Sequence, residues 1–478
     1  MLREYGFIIT DETARASLRF SWAPSFAAVM LEWSSGEAVW SRREEVTPVI
    51  FMESEENRRR RKSRLAIHRL FEERPEILAE HGSLLSSWGI LTGVRPGKMV
   101  RRFIDQGIGD AEIKSILAVE FGVEADRAEL ILRVCHNQAP LLPAGDEDRK
   151  RISLYIAYPF CPSLCEYCSF GGYEAARWRK WRQPCHLAMI KEISAVGQAA
   201  SEMGFTIQTV YFGGGTPTCM SPESMDQILG CINGSFTLVA GAEWTVEGGR
   251  PETLTYETLE TLASYPVTRI CVNPQSMNQA TLDRIGRKHK VEDVRDAIFR
   301  IRETASGKRR DDWRINCDLI LGLEGEGLDD AMESVRQTLA LAPDNITLHS
   351  LAIKRGSAYK EKQTSLPDTL LGRAMINASR EMTLAAGYLP YYLYRQKESL
   401  AGGENVGYSL PGRFCEYNAL MIEERQTILG LGAGAGSKFL RPGGWALDNT
   451  YNPKDLVQYI ERVDDLIKKK VDKLTELG

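Results

Sequence analysis

The sequence Tyr158-Pro-Phe-Cys-Pro-Ser-Leu-Cys-Glu-Tyr-Cys-Ser-Phe170 places three cysteines, Cys161, Cys165 and Cys168, on one short segment. The chain has ten cysteines among 478 residues. By chance, a C-x3-C-x2-C spacing would then arise only about 0.004 times per chain. The prolines of the segment favour a loop, which argues against buried and inert thiols. Thiolates bind iron–sulfur clusters and zinc, and structural zinc normally takes four protein ligands. A triplet with no fourth donor beside it therefore predicts a cluster in which a small molecule completes the coordination of one iron.

Composition and charge narrow the class of protein. Apolar residues make up 43% of the chain, enough for a large core, and the length fits two or three domains. The formal net charge of -4 gives no electrostatic reason to expect nucleic acid, and the basic run 58–62 is interpreted as a solvated helix face. No apolar run reaches the roughly 18 residues of a membrane span. The other cysteines lack the spacing of a disulfide framework, which favours a reducing compartment. We expect a cytoplasmic protein without a membrane span, and we take it to be a monomer.

Three regions are predicted along the chain. Residues 1–145 form a mixed α+β module, with strand-like runs at 5–10 and 27–33 followed by helical periodicity up to 136. A Pro- and Gly-containing stretch ends this module. Residues 356–478 form an α+β region that we expect to cover the substrate.

The middle region, 146–355, alternates short apolar runs with helical stretches, which predicts parallel β/α units. The six predicted strands are 152–157, 209–212, 244–247, 269–273, 315–321 and 346–351. Polar residues lie in these strands or just after their carboxyl ends, where the loops of a β/α barrel converge on an active site. The fold class is therefore α/β.

Several residues near these strand ends are candidates for ligand contacts. The glycines of Gly213-Gly-Gly-Thr-Pro217 allow close approach of backbone to a ligand, although a tight turn is the alternative. Glu247 ends a strand before two glycines and is either an exposed charge or a ligand for a ribose or amino group. Gln275 and Arg287 are ligand contacts or solvated side chains. Asp318 lies inside an apolar strand, so it is either half of a salt bridge or a ligand contact.

With these motifs, the chain resembles the radical S-adenosylmethionine (SAM) superfamily, and within it the oxygen-independent coproporphyrinogen III oxidase family. The resemblance implies a partial (β/α)6 barrel, a [4Fe–4S] cluster on the three cysteines, and one or two SAM molecules per site. It also implies that the cofactor contacts are Tyr155, Tyr167, Gly214, Gly215, Thr216, Glu247, Gln275, Arg287, Asp318 and Gly436. The phrases 88–96, 348–355 and 394–397 are similar to the HemZ-type subgroup, which carries an extended N-terminal module.

A second glycine-rich segment, Gly430-Leu-Gly-Ala-Gly-Ala-Gly436, loosely matches a dinucleotide fingerprint. Arg441-Pro-Gly-Gly444 interrupts the helix that such a fingerprint requires, so we reject that interpretation. The resemblance implies instead that these glycines pack against the adenosyl group.

The reaction implied by the resemblance converts two propionates of coproporphyrinogen III into vinyl groups, giving protoporphyrinogen IX. A flavodoxin- or ferredoxin-type protein would supply the electrons. Arginines suit carboxylate recognition, so Arg355, Arg395 and Arg413 are candidates for holding propionates, with exposed surface arginines as the alternative.

Departures from the family pattern leave two other functions open. Phe170 stands where the best-studied branch has a further cysteine, and Glu324 replaces a proline. One alternative is a radical SAM methyltransferase or ring-opening enzyme acting on haem, and the other is a haem-binding chaperone. The chaperones carry His-Asn-x-x-Tyr-Trp where this chain has Tyr417-Asn-Ala-Leu-Met-Ile422, which disfavours that role.

Overall fold

The computed structural model describes residues 16–23, 26–33, 38–45, 53–75, 78, 84–143, 149–170, 172–443 and 446–477. The predicted strand at 5–10 lies outside these residues. The chain divides into two compact units, one comprising Met1–His136, Pro367–Ala374 and Leu393–Glu404, and the other comprising Asn137–Leu366, Met375–Tyr392 and Asn405–Gly478. The three sequence-defined regions stay a prediction.

The first unit contains an antiparallel three-stranded sheet in the order β1-β2-β3, followed by helices. The strands are β1 (Ala16–Ala23), β2 (Phe26–Trp33) and β3 (Ala38–Glu45). The helices are α1 (Glu55–Glu73), α2 (Gly97–Asp105), α3 (Asp110–Phe121) and α4 (Ala125–Gln138). The last two residues of α4 fall in the second unit. Helix α1 begins at the cap Ser54, whose hydroxyl accepts from the N–H of Asn57.

The second unit is built on a mostly parallel sheet with crossover helices. Its strands up to the end of the β/α repeats are β4 (Arg151–Tyr158), β5 (Phe160–Cys161), β6 (Tyr173–Glu174), β7 (Thr206–Gly214), β8 (Leu238–Glu247), β9 (Arg269–Cys271), β10 (Arg314–Leu321) and β11 (Asn345–Ser350). The helices are α5 (Arg179–Glu202), α6 (Pro222–Ser235), α7 (Tyr256–Ala263), α8 (Gln279–Arg284), α9 (Val291–Lys308) and α10 (Leu328–Ala340).

The remaining elements are α11 (Ala358–Glu361), α12 (Thr369–Ala385), β12 (Leu389–Arg395), β13 (Glu404–Ser409), α13 (Glu416–Glu423), β14 (Ile428–Gly432), β15 (Gly436–Leu440), β16 (Leu447–Tyr451), α14 (Leu456–Glu461) and α15 (Val463–Leu477). The large sheet has the order β12-β13-β11-β10-β9-β8-β7-β4-β14-β15-β16. No helix in the described part of the chain is both long enough and apolar enough to cross a membrane.

Six neighbouring strands of this sheet, β4, β7, β8, β9, β10 and β11, run parallel to one another. They coincide with the six strands predicted from the sequence, and the α/β fold class is confirmed. Strand β14 adds a further parallel neighbour to β4, while β13 pairs antiparallel with β11. The sheet therefore has two distinct ends and forms a partial barrel.

Alternation along the strands separates a helix-covered face from a polar face. On β4, Ile152, Leu154 and Ile156 are fully buried in the apolar core. The intervening Tyr155 is only partly buried and packs instead with Tyr211 of β7. Successive side chains on a strand point to opposite faces, so the polar candidates of neighbouring strands share the second face.

A buried ion pair fastens the C-terminal helix to the sheet. The carboxylate of Glu192 on α5 lies 2.8 Å from Nζ of Lys470 on α15, and their side chains are 0% and 3% exposed. The same carboxylate accepts hydrogen bonds from the hydroxyl of Tyr459 at 2.8 Å, the amide of Gly432 at 2.8 Å and Nδ2 of Asn452 at 2.9 Å. A buried charge pair persists only when its remaining polar atoms are also satisfied, and this network meets that condition.

Substituting Lys470→Met leaves the Glu192 carboxylate buried without its counter-ion. We expect the free energy of unfolding to fall by about 3–5 kcal/mol, measured by urea denaturation. Lys468 lies on the same helix and pairs with Asp472 at 2.6 Å, but both side chains are mostly exposed. Lys468→Met should therefore leave the unfolding midpoint unchanged, and equal losses in the two variants would contradict a special role for the buried pair.

Candidate functional site

The three cysteines lie in the loop that follows β4, at the carboxyl edge of the parallel strands. Cys161 ends β5, and the N–H of Cys168 donates to the carbonyl of Cys165 at 3.1 Å in a turn. Burial raises the pKa of Cys161, and it raises the pKa of Cys168 to about 11. These thiols are therefore protonated until a metal displaces the proton, which is how thiolate ligands are normally formed.

Two buried arginines hold this loop. Nη2 of Arg250 donates to the carbonyl of Ser163 at 2.7 Å and to its hydroxyl at 2.5 Å. Arg287, which is 4% exposed, donates from Nη2 to the carbonyls of Gly249 at 2.5 Å and Asn273 at 2.6 Å. The loop is thereby tied to the segments that follow β8 and β9.

Arg287 also lies close to the predicted cluster ligands. Its Nη1 is 4.0 Å from Sγ of Cys165 and 3.3 Å from the hydroxyl of Tyr167. The positive charges of Arg250 and Arg287 act to lower the pKa of Cys161, against the larger effect of burial. Both cations would offset the negative charge of a thiolate-bound cluster. The role of Arg287 and Tyr167 as SAM contacts stays a prediction, since the partners described for them are protein groups.

The glycine motif brings β7 against the cysteine loop. Gly214 has φ +102°, and a Cβ added at Gly215 would overlap the carbonyl oxygen of Phe160. The N–H of Gly215 donates to the carbonyl of Tyr158 at 2.6 Å, and the N–H of Thr216 donates to that of Phe160 at 2.8 Å. The glycines therefore permit close approach of two backbone segments. From the sequence, either close approach to a ligand or a tight turn was expected at these glycines, and the contact with a ligand stays a prediction.

Two carboxylates occupy the polar face of the sheet. The hydroxyl of Tyr211 donates to Oε1 of Glu247 at 2.6 Å. Burial, with a smaller contribution from the charge of Asp318, raises the pKa of Glu247 from 4.5 to about 7. Oδ2 of Asp318 lies 3.7 Å from Nε2 of His349 on the adjacent strand, and both side chains are 25% exposed. The sequence had left Asp318 as a salt bridge or a ligand contact, and the structure gives it an imidazole neighbour that carries charge only when protonated.

Gln275 combines backbone strain with an unsatisfied side chain. Its φ is +69°, the left-handed region that non-glycine residues rarely adopt. The backbone is held there because its N–H donates to the carbonyl of Asp318 and its carbonyl accepts from Ile320, both at 2.9 Å. The side-chain Oε1 is buried and has no hydrogen-bond partner. Strain of about 1–3 kcal/mol and an orphaned acceptor are features that concentrate at ligand sites.

An aromatic layer lies beside the carboxylates, and only Tyr155 among its members was expected there from the sequence. The rings of Tyr211 and Tyr417 stack with centroids 4.6 Å apart, and Tyr155 lies 6.4 Å from Tyr417 and 6.2 Å from Tyr211. Tyr211 could have been found by strand alternation, because it lies two residues before Gly213 on the face predicted to carry the site. Tyr417 carries no such signal, since it comes from a distant helix, α13.

The three candidate arginines do not share one environment. Arg355 is exposed on the segment after β11, at the same edge as the cysteine loop. Arg395 lies in the first unit and is 9% exposed. Its guanidinium donates to the carbonyl of Leu91 and, at 2.7 Å, to the carbonyl of Gly402. The same guanidinium lies over the ring of Trp88. Its guanidinium is committed to these groups, which is a poor arrangement for binding a carboxylate.

Arg413 lies at the opposite edge of the sheet from the cysteine loop. Its Nε is 3.8 Å from Oδ1 of Asp344, immediately before β11 begins. It follows β13, whose Ser409 pairs with Asn345 at the amino end of β11. Arg413 is therefore remote from the edge at which the cysteine loop lies.

Gly436 begins the second strand of a hairpin beside β4. Gly430 of β14 lies next to Tyr155 in the sheet, and a Cβ at Gly430 would overlap the backbone of Gly436. Strands β15 and β16 follow directly, with antiparallel pairing. The described residues directly after these glycines form strands rather than a helix, in agreement with the rejection of a dinucleotide fingerprint.

The residues present fit a cluster and SAM. Among the described residues, no three His, Cys, Asp or Glu side chains converge to hold a single metal ion. This finding is compatible with a cluster, because three thiolates that each bind a different iron need not converge on one point. Their loop is flanked by buried cations, as an anionic cluster requires. The carboxylates Glu247 and Asp318 and the orphaned amide of Gln275 suit a ligand that carries an amino group, hydroxyls and a sulfonium charge.

Substituting Gly215→Ala should displace the cysteine loop, because the added methyl group meets the backbone of Phe160. We expect the iron and sulfide content after anaerobic reconstitution to fall to less than about half of the wild-type value, measured by chemical analysis. Gly234→Ala, at a helix position where a Cβ meets nothing within 4 Å, is the matched control. Full iron content in the Gly215 variant would show that the close approach is dispensable.

The raised pKa of Glu247 predicts a pH-dependent stability of the cofactor-free protein. Between pH 4.5 and about 7 the unfolded chain has released this proton while the folded chain retains it. The free energy of unfolding should therefore fall as pH rises through this window, by at most about 3 kcal/mol, and then level off. Glu247→Gln should lack this decline in urea denaturation at pH 4.5 and 8, whereas the exposed Glu260→Gln should retain it. A decline of the same size in Glu247→Gln would show that another group is responsible.

Comparison with known proteins identifies the family of this chain. Residues 155–338 match the model of the Radical SAM superfamily. The chain is 35% identical over 410 residues to the oxygen-independent coproporphyrinogen-III oxidase-like protein HemZ of Bacillus subtilis, covering 84% of this chain and 79% of that protein. It is also 27% identical to the heme chaperone HemW of Escherichia coli, over 66% of this chain and 78% of that one.

A solved structure shows the same fold. The structure of coproporphyrinogen III oxidase (HemN) from Escherichia coli, described as a radical SAM enzyme, superposes with a TM-score of 0.54 at 20% identity, over 70% of this chain and 73% of that one. The family as a whole implies a [4Fe–4S] cluster and SAM. This chain belongs to the radical SAM superfamily, in the HemZ group of oxygen-independent coproporphyrinogen III oxidase-like proteins.

Proposed function

We propose that this protein is an oxygen-independent oxidoreductase that converts propionates of coproporphyrinogen III into vinyl groups. The observation that carries the proposal is the strained Gln275, whose buried amide oxygen has no hydrogen-bond partner among the described residues. A ligand-binding protein can retain such an arrangement because the ligand satisfies it. Glu247 and Asp318, on the strands β8 and β10 that flank β9, give the same face of the sheet its negative charge.

In this proposal, Cys161, Cys165 and Cys168 hold the cluster, and the strand-end residues, with the tyrosine layer, hold SAM. When bound, the cluster and SAM supply a carbon-centred radical that removes a hydrogen atom from substrate. Each propionate then gives one hydrogen atom to that radical, releases CO2 and passes one electron to a one-electron acceptor, which leaves a vinyl group. We keep open whether one or two SAM molecules bind per site.

The chain's own residues contribute binding, orientation and charge. Burial holds Glu247 partly protonated near neutral pH, and a cationic ligand next to it would favour the carboxylate. The rings of Tyr155, Tyr211 and Tyr417 form a wall that excludes water from this face. Of the three arginines predicted to hold propionates, we retain Arg355, because it is exposed at the edge where the cysteine loop lies.

A haem chaperone is the second candidate, because HemW proteins are among the relatives. Tyr417 stands at the place of the histidine in the chaperone sequence and is 6% exposed, stacked on Tyr211. A side chain packed in this way is poorly placed to bind haem iron. No described feature favours the other alternative, a haem-modifying methyltransferase.

The reconstituted protein, assayed anaerobically with dithionite, SAM and coproporphyrinogen III, should form vinyl products detected by mass spectrometry. Arg355→Ala should raise KM for coproporphyrinogen roughly tenfold, because a charge-assisted hydrogen bond to a carboxylate is lost. The control is Arg336→Ala, which removes an exposed arginine of α10 paired with Glu333 and should not alter KM.

Other outcomes point to other functions. Methylated or opened tetrapyrrole after incubation with haem would indicate the methyltransferase class. Stable haem binding without consumption of SAM would indicate a chaperone. Either result, in the absence of vinyl product, would overturn the proposed reaction.

A further inference from the structure

Two large apolar side chains are exposed on the cysteine loop itself. Leu164, between the first two cysteines, is 52% exposed, and Phe170, two residues after the third, is 78% exposed. Gly172 packs beside the first part of this loop, since a Cβ there would meet Sγ of Cys161 and Cδ2 of Leu164. The two apolar groups therefore lie on the segment that carries the predicted cluster ligands.

Two basic segments contact this loop. Residues 283–290 carry a net charge of +3 and residues 174–180 a net charge of +2, in a chain whose overall charge is -4. The hydroxyl of Ser163 donates to the carbonyl of Gly286 at 3.3 Å, and the N–H of Ala175 donates to that of Cys161 at 2.9 Å. Positive charge is thus concentrated beside the loop, against the sign of the whole protein.

The cations of these segments are available at the surface, apart from the buried Arg287. Arg177, Lys180, Lys288 and Lys290 are all exposed. The loop contributes one acidic residue, Glu166, and Lys362 neutralises it with a contact of 2.6 Å. We call Leu164, Phe170 and these four exposed cations the loop-side surface.

We propose that the loop-side surface docks an acidic one-electron carrier protein that reduces the cluster. An apolar centre with a charged border of one sign suits a transient complex with a partner of opposite charge, because the charges accelerate association and the apolar groups exclude water. One electron leaves the carrier and enters the cluster, with no bond made or broken. The inference rests on the proposed function only in requiring a reducible cluster.

The first test measures binding of the reconstituted holoprotein to two probes, a bacterial flavodoxin and a plant-type ferredoxin, by anaerobic calorimetry. The double variant Lys288→Glu with Lys290→Glu should weaken binding of at least one probe roughly tenfold at low salt, and the difference should shrink at high salt. The matched control is Lys308→Glu with Arg309→Glu, two exposed cations at the other end of the same helix, α9, which should bind as the wild type does.

The second test addresses the apolar centre. Phe170→Ser should raise the Kd at both salt concentrations, because the lost contact is not electrostatic. Phe299→Ser, which removes another largely exposed ring (63% exposed) from α9, should have no effect. Stopped-flow reduction of the cluster by the reduced probe should slow in parallel with binding, while reduction by dithionite stays unchanged in every variant.

Three results would overturn the proposal. The first is that neither probe binds the wild-type protein in a salt-sensitive way. The second is that binding is weakened equally in the two charge-reversed double variants. The third is a raised KM for coproporphyrinogen in the Lys288 and Lys290 variant with unchanged carrier binding, which would assign the surface to the substrate. Failure of the dithionite-driven wild type to consume SAM would instead count against the proposed function, since calorimetry reads docking without turnover.

Discussion

The hydrogen bonds from Arg250 and Arg287 to backbone carbonyls fix where the cysteine loop can lie. The buried Arg250, which follows β8, donates to the carbonyl of Ser163 in the loop. The buried Arg287, which follows α8, lies 3.3 Å from the hydroxyl of Tyr167 in the loop and donates to two carbonyls outside it. The loop is therefore held from two sides. Because a guanidinium offers several donors in a rigid plane, one side chain can join the loop to two other segments. The glycines after β7 complete this arrangement by letting a third segment approach without side chains. The predicted cluster ligands lie on a loop, but the segments that follow the strands of the sheet fix the position of that loop.

Charge on the polar face is balanced by burial and neighbours. Glu247 and Asp318 lie close enough for their charges to oppose each other, and a phenol and an imidazole contact them. Such a face favours a cationic ligand, because binding removes the repulsion and restores full ionisation. The cationic side of the site, around the cysteines, favours an anionic ligand. The two halves have opposite electrostatic preferences, as a cluster and a sulfonium cofactor together require.

The sequence was sufficient for features with short-range signatures. The six parallel strands follow from apolar runs and turns, and the cysteine spacing identifies the loop. Arg250, Tyr417 and Glu192 were missed because their partners lie 87, 206 and 278 residues away, distances at which a linear pattern carries no information. The surroundings of Arg395 and Arg413 were not foreseen for a related reason, since residue type indicates a preference for carboxylates but not the edge or the unit in which the side chain lies. The contacts expected for SAM stay predictions, because side-chain positions alone do not specify a bound molecule.

The ion pair between Glu192 and Lys470 has a consequence for how the chain matures on the ribosome. The glutamate is synthesised 278 residues before the lysine that neutralises it, and an unpartnered carboxylate resists desolvation. Helix α5 therefore cannot settle against β14 until translation has nearly ended. A nascent or prematurely terminated chain should keep this flank hydrated and open to proteases, so that quality control can discriminate finished molecules from incomplete ones.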